Sequence, residues 1–123
     1  MKLKIFLAVS ILLVLLAGWL YYQAENYHPP EEHMGMMRSD LRNLASRQEL
    51  HRVQHGRYSD TMLVEPFEDA VVLTIIEADE NGWSALATAS DVPFPCGIHV
   101  GDARPLIEGA VEGDAHCGRA LPR

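Results

Sequence analysis

Cysteine is scarce in this chain, with two among 123 residues. Two thiols are too few for a disulfide-dense scaffold or for a zinc site built from four thiolates. The sequence contains no CxxCH, GxGxxG, P-loop, HExxH or GxSxG run. The usual signatures of covalent haem, dinucleotide binding, nucleotide hydrolysis, zinc proteolysis and serine hydrolysis are therefore missing. Positive charge is short as well: 10 Lys and Arg face 17 Asp and Glu, a formal net charge of −7. Binding to phosphate backbones needs a basic face, so this balance argues against a nucleic-acid binder. There is no internal repeat and no low-complexity run. The length suits one domain.

Long apolar runs are also few, but the one present is decisive for organisation. Lys2 and Lys4 precede Ile5–Leu20, broken only by Ser10 and Gly18, and Tyr21 and Tyr22 follow. Either a cleaved signal peptide or a retained anchor begins this way. A signal peptidase site needs small residues at −1 and −3. Ala17 would put Leu15 at −3, and Ala24 would put Tyr22 there, so both are poor sites. No cysteine lies nearby for lipoprotein processing. The stretch through Tyr22 spans roughly 27 Å as a helix, enough for a bilayer core. A retained anchor is expected, with Ile5, Leu12 and Leu16 in the hydrocarbon and Trp19, Tyr21 and Tyr22 as an aromatic belt. Lys2 and Lys4 would keep the N-terminus cytoplasmic, placing the rest outside, at a bacterial inner membrane with a periplasmic head. In that oxidising compartment Cys96 and Cys117 can form a disulfide. It would close a loop of about twenty residues, worth roughly 3 kcal/mol. Two buried free thiols are the alternative.

The chain divides into an anchor and juxtamembrane segment (1–28) and a head (29–123). Pro29-Pro30 separates them, and the anchor helix should end by His28. Pro30 suits the first position of a second helix, with Glu31 and Glu32 in its first turn. Met34, Met37, Leu41 and Leu44, with Ala45 beside them, share one helical face. Ser39 is a candidate cap for a helix restarting after Gly35, and Gly56 a natural stop. The period then changes. Residues 70–78 and 83–89 read as strands, and the Asp79–Gly82 turn joins them as a hairpin. A short third strand is expected at 96–100, a loop at 103–113, and a last strand near His116–Cys117. The pattern is α+β: an N-terminal transmembrane helix, then an amphipathic helix on a small antiparallel sheet.

Charge is uneven. Residues 33–57 hold five arginines against Asp40 and Glu49, a net of +3, whereas residues 58–123 net −9. The basic helix either pairs with its own acidic sheet or is steered towards an anionic partner or lipid headgroups.

The stretch Ser39–Tyr58, SDLRNLASRQELHRVQHGRY, resembles the helix of type IV pilin-like proteins. NGWSALATAS, CGIHVGDA and the final Cys-Gly resemble the head of that family, so the likeness covers about residues 38–118. It implies a helix laid across a four-stranded antiparallel sheet, a Cys96–Cys117 bridge and no catalysis. The chain departs from the family at its N-terminus. The apolar run begins at Ile5 with no leader glycine before it. The one glycine near it is Gly18, and the position five residues on is Gln23 rather than Glu. Prepilin-peptidase processing and polymerisation through a helix glutamate are therefore not expected.

The remaining chemical candidates are weak. His51 and His55, at i and i+4, share a helical face, but Glu49 points elsewhere. His28, His33, His99 and His116 are scattered, so no metal site is expected. The pairs Glu31-Glu32, Glu68-Asp69 and Asp79-Glu80 are sequence neighbours and do not converge in a helix or strand. No enzyme activity, cofactor or small-molecule substrate is expected. Met34, Met36 and Arg38 form a soft collar just outside the membrane and are candidate partner contacts. Ala8, Ser10, Ala17 and Gly18 could admit a neighbouring helix, though no GxxxG pattern is present. The expected function is that of a non-enzymatic accessory subunit docked on a larger secretion, respiratory or photosynthetic membrane complex. A divergent minor pilin or pseudopilin is the alternative.

Overall fold

Two helices and four strands follow one another in the computed structural model, which describes residues 2–26, 30–62 and 70–122. The first helix, α1 (Lys2–Asn26), is apolar all round. Its segment Lys2–Ala24 is long and apolar enough to cross a membrane, about 34 Å at 1.5 Å per residue. Every residue from Lys2 to Ala24 is exposed, and α1 packs on no other element. Ser10 donates its hydroxyl to the Phe6 carbonyl at 2.9 Å, so this polar side chain in the middle of the run is satisfied within the helix.

The second helix, α2, covers Pro30–His55. Proline opens it, where a missing N–H costs nothing, and Glu31 and Glu32 lie in its first turn, facing the positive helix end. Gly56 closes it with φ +79° and an N–H bonded to the Arg52 carbonyl at 2.7 Å. One expectation is corrected here. The helix does not restart after Gly35, and Ser39 is an exposed interior residue rather than a cap. A mid-helix glycine costs about 1 kcal/mol relative to alanine. Met34 and Met37, packed against the head on both sides of the weak point, hold the helix together across it.

The strands β1 (Val71–Ala78), β2 (Gly82–Ala89), β3 (Cys96–Gly101) and β4 (His116–Cys117) form an antiparallel sheet in sequence order. A bulge between Ile75 and Glu77 shifts the β1–β2 register. The Asp79–Gly82 turn is closed by the Asp79 carboxylate, which accepts from the N–H groups of Asn81 (2.7 Å) and Gly82 (2.9 Å). Gly82 is needed for close approach rather than for a left-handed backbone. A Cβ there would meet the Val100 carbonyl oxygen at 2.5 Å and the Ala103 nitrogen at 2.9 Å. Cys96 and Cys117 are direct cross-strand partners and are disulfide-bonded.

The core lies between α2 and the sheet. Met37, Leu41 and Leu44 are buried against Trp83, Ala85 and Ala87 on alternate positions of β2, with Ile98 and Val71 from the neighbouring strands. The alanines let the helix approach closely under the indole of Trp83. Each buried Leu or Met contributes about 1.5–3 kcal/mol of transfer free energy. On the other face, residues 103–113 do more than a loop was expected to. Leu106 and Ile107 are buried, and Ile107 pairs with Ala120 in an isolated bridge. Ile107 lies against Gly97, where a Cβ would meet it at 2.9 Å. This segment forms a second, thinner layer over the back of β2 and β3.

Candidate functional site

The part of the head that follows α1 in the chain is built by the first turns of α2. Met34, expected as a partner contact, is half-buried and packs on the head core. Met36 and Arg38 remain half-exposed beside it. Met36 lines a shallow groove of about 380 Å³ with Glu32, Gly35, Ser39, Asp40 and Asn43. The expected anchor residues Ile5, Leu12, Leu16, Trp19, Tyr21 and Tyr22 are more than half exposed along α1.

Three polar residues of α2 are buried on its sheet-facing side: His33, Asp40 and Gln48. The apolar-stripe reading passes over them, yet His33, Met37, Leu41, Leu44 and Gln48 follow one another at three- and four-residue steps, which is the same face. His33 Nδ1 pairs with the Asp91 carboxylate in the β2–β3 connection, tying the start of α2 to the sheet 58 residues on. Gln48 is fully buried and binds the backbone of Ser59 twice. Its Nε2 donates to the Ser59 carbonyl at 2.6 Å, and its Oε1 accepts from the Ser59 N–H at 2.8 Å. That clamp folds the chain after Gly56 back along the helix.

Tyr58 is held by the same fold-back. Its ring is buried 6.5 Å from that of Trp83, and the Arg52 guanidinium sits 5.7 Å from its ring centroid. Burial raises the phenol's pKa above its ordinary value. The Glu49 carboxylate, 3.5 Å from the hydroxyl, raises it further, and Arg52 acts in the opposite direction.

Two buried polar atoms lack a hydrogen-bond partner among the described residues: Ser84 Oγ and His99 Nδ1. They sit on register partners, Ser84 of β2 and His99 of β3, beneath the 103–113 layer. Neither lines the surface grooves described above or those at Leu44–Ile75, Arg47–Met62 and Ile76–Pro122.

The histidines do not assemble. His51 and His55 stack at 4.3 Å, and their Nδ1 atoms contact the carbonyls of Arg57 (2.8 Å) and His51 (3.2 Å). Among the described residues, no three His, Cys, Asp or Glu side chains stand together to hold a metal ion. His28 and the pair Glu68-Asp69 lie outside the described residues.

The arginines of α2 do not reach the acidic sheet. Arg52 pairs with Glu49 on the same helix at 3.0 Å. Among the described residues, Arg38, Arg42, Arg47 and Arg57 make no ion pair. Arg42 and Arg47 are exposed on α2, as are Leu50 and Val53 at 58% and 75%, while Arg38 is half-exposed and Arg57 follows the helix. Of the two readings of the uneven charge, pairing between helix and sheet is not what holds the layers together.

No family model matches the chain, and no curated protein matches it.

Proposed function

We propose that this chain is a membrane-anchored accessory subunit whose head rides on the outer surface of a larger membrane complex. The observation that carries the reading is α1, a membrane-length helix fully exposed from Lys2 to Ala24 and packed on none of the other described helices and strands. A helix apolar on every side finds its partners in lipid or in other helices. Ser10, Ala17 and Gly18 give it a narrower side on which a neighbouring helix can approach. The N-terminus is cytoplasmic and the head periplasmic, as Lys2 and Lys4 ahead of the span and the Cys96–Cys117 bridge in the head would require. Met36 and Arg38 stand at the membrane-proximal rim, where a docked complex would first meet the head.

Extraction of native membranes in mild detergent, followed by sizing and mass spectrometry, tests the reading. Co-migration with a stable large assembly is the expected result. Recovery as a lone monomer under every mild condition would refute it.

A second reading has one favouring observation: a helix laid across a four-stranded antiparallel sheet, locked near the C-terminus by a disulfide. That is the arrangement the likeness to type IV pilin-like proteins implies, and it fits a divergent minor pilin or pseudopilin. Intact-mass analysis separates the two. A chain shortened by prepilin peptidase and recovered with pilus components supports the second reading, and an intact Met1 removes it.

A further inference from the structure

The C-terminal end of α2 brings the rings of His51 and His55 face to face, their centroids 4.3 Å apart and their planes 18° from parallel. A spacing of four residues puts both on one side of the helix. The backbone sets the state of each ring. His51 Nδ1 meets the Arg57 carbonyl at 2.8 Å, and His55 Nδ1 meets the His51 carbonyl at 3.2 Å. A carbonyl oxygen only accepts, so the hydrogen of each neutral ring is on Nδ1. The lone pair is then on Nε2 in both rings, and among the described residues neither Nε2 has a hydrogen-bond partner. An imidazole that donates through one nitrogen to a backbone carbonyl and keeps the other free is in the form that ligates a metal.

The surroundings narrow the choice of ion. His55 is exposed and His51 half-buried, so the pair is open to solvent. His51 lines a shallow groove of about 220 Å³ together with Met62, whose thioether is a soft donor. No carboxylate lines that groove among the described residues, and Glu49 is held by Arg52, so the oxygen ligands that calcium and magnesium require are not at hand. Imidazole with a thioether suits copper, which also heads the order of divalent affinities for nitrogen sites. Arg47 lines the groove and works against a cation, while the carbonyl end of α2 works for it.

We infer that His51 and His55 form a copper site, binding one ion through their Nε2 atoms with Met62 as the soft donor beside them. It is an open chelate rather than a closed cage, and water completes the coordination. Bonds of about 2.0–2.1 Å place the two nitrogens roughly 3 Å apart, which the stacked rings reach by tilting towards each other at their outer edges. The second imidazole is tethered to the first by one turn of helix, so it adds about 10²-fold in affinity without a separate encounter. The site does not depend on α1 crossing a membrane or on any partner complex.

The test uses the full chain in detergent, disulfide intact and stripped of metal, titrated near neutral pH with Cu(II) and separately with Zn(II). Pulsed electron paramagnetic resonance counts the imidazoles on bound Cu(II). The expected result is one Cu(II) per chain carrying two imidazoles and bound more tightly than Zn(II). His51→Ala and His55→Ala should each weaken Cu(II) binding about 100-fold. His55 is exposed, so His55→Ala keeps the test sharp even if His51→Ala loosens the fold-back that its Nδ1 contacts. With ascorbate and without oxygen, Cu(I) binding should fall several-fold in Met62→Leu. A Cu(II) signal from a single imidazole, or an affinity unchanged in His55→Ala, overturns the site. Zn(II) bound as tightly as Cu(II) overturns the assignment to copper, and Cu(I) binding indifferent to Met62→Leu overturns the part given to Met62.

Discussion

Gln48 is a fully buried polar residue whose removal should be costly. Its side chain is fully buried and makes both of its hydrogen bonds to one backbone unit, Ser59, which is itself 9% exposed. Gln48→Ala removes the donor and the acceptor together. The Ser59 N–H and C=O are then left without that partner in a buried setting, and a buried polar group that loses its partner costs about 1–3 kcal/mol. Some of this returns if water enters the space vacated by the amide, so the net expectation is about 2–4 kcal/mol. For a head of this size that is a fall in Tm of roughly 10–25 °C. Gln48→Glu sharpens the test. A carboxylate still accepts from the Ser59 N–H but opposes the Ser59 carbonyl, and protonation restores a donor. The gap between Gln48→Glu and the parent chain should therefore narrow as pH falls. The assay is thermal unfolding of the full chain in detergent, followed by near-ultraviolet circular dichroism with the disulfide intact. Leu50→Ala, at an exposed position two residues along the helix, is the control and should move Tm little. A Gln48→Ala protein within about 0.5 kcal/mol of the parent would refute the claim that this clamp holds the post-helix segment.

Other perturbations follow from the same contacts. Reducing the Cys96–Cys117 bridge, which spans 21 residues of sequence, should cost about 3 kcal/mol, read as a drop in the urea midpoint with dithiothreitol present. Asp91→Ala strands His33 at the start of α2, and because the Asp91 side chain is 36% exposed the expected loss is held to about 1–2 kcal/mol by the same measurement. Gly82→Ala drives a methyl into backbone atoms of β3 and the residues after it, and should destabilise by about 1–3 kcal/mol, the expected outcome being a lower Tm with unchanged far-ultraviolet circular dichroism. Tyr58 has its pKa raised in the folded state, so its contribution is fully present below the ordinary tyrosine value of 10.0 and is lost as pH rises through the raised value. The urea midpoint should fall as pH rises above 10, and Tyr58→Phe should flatten that fall.

Much of the architecture was legible in the residues. Pro30 and Gly56 bracket α2 because proline lacks the N–H a first helical residue does not use and glycine adopts the left-handed closing turn. The hairpin strands followed from the β-branched run in 70–78 and the apolar stretch 83–89 on either side of the Asp79–Gly82 turn. The restart at Ser39 was misread because local propensity weighs Gly35 alone, while the methionines packed around it outweigh its cost. The layer formed by Leu106 and Ile107 was missed for a related reason. Prolines and glycines mark irregular backbone, and irregular backbone can still be buried if its polar groups are paired at a distance, as Glu108 with Arg119 and Leu121 with Leu106 are.

The sequence by itself determined the order of elements, the apolar length of α1 and the division of charge, since all three depend on composition and on periods of a few residues. Which polar residues lie inside was decided only by the tertiary structure. His33 and Gln48 look like ordinary helix-surface residues until the chain returns with Asp91 and Ser59 to meet them. Their partners stand 58 and 11 residues away. Whether the arginines pair with the acidic sheet was likewise decided in three dimensions. The helix turns its core-facing side to β2, and among the described residues Arg38, Arg42 and Arg47 make no ion pair with the acids of the sheet.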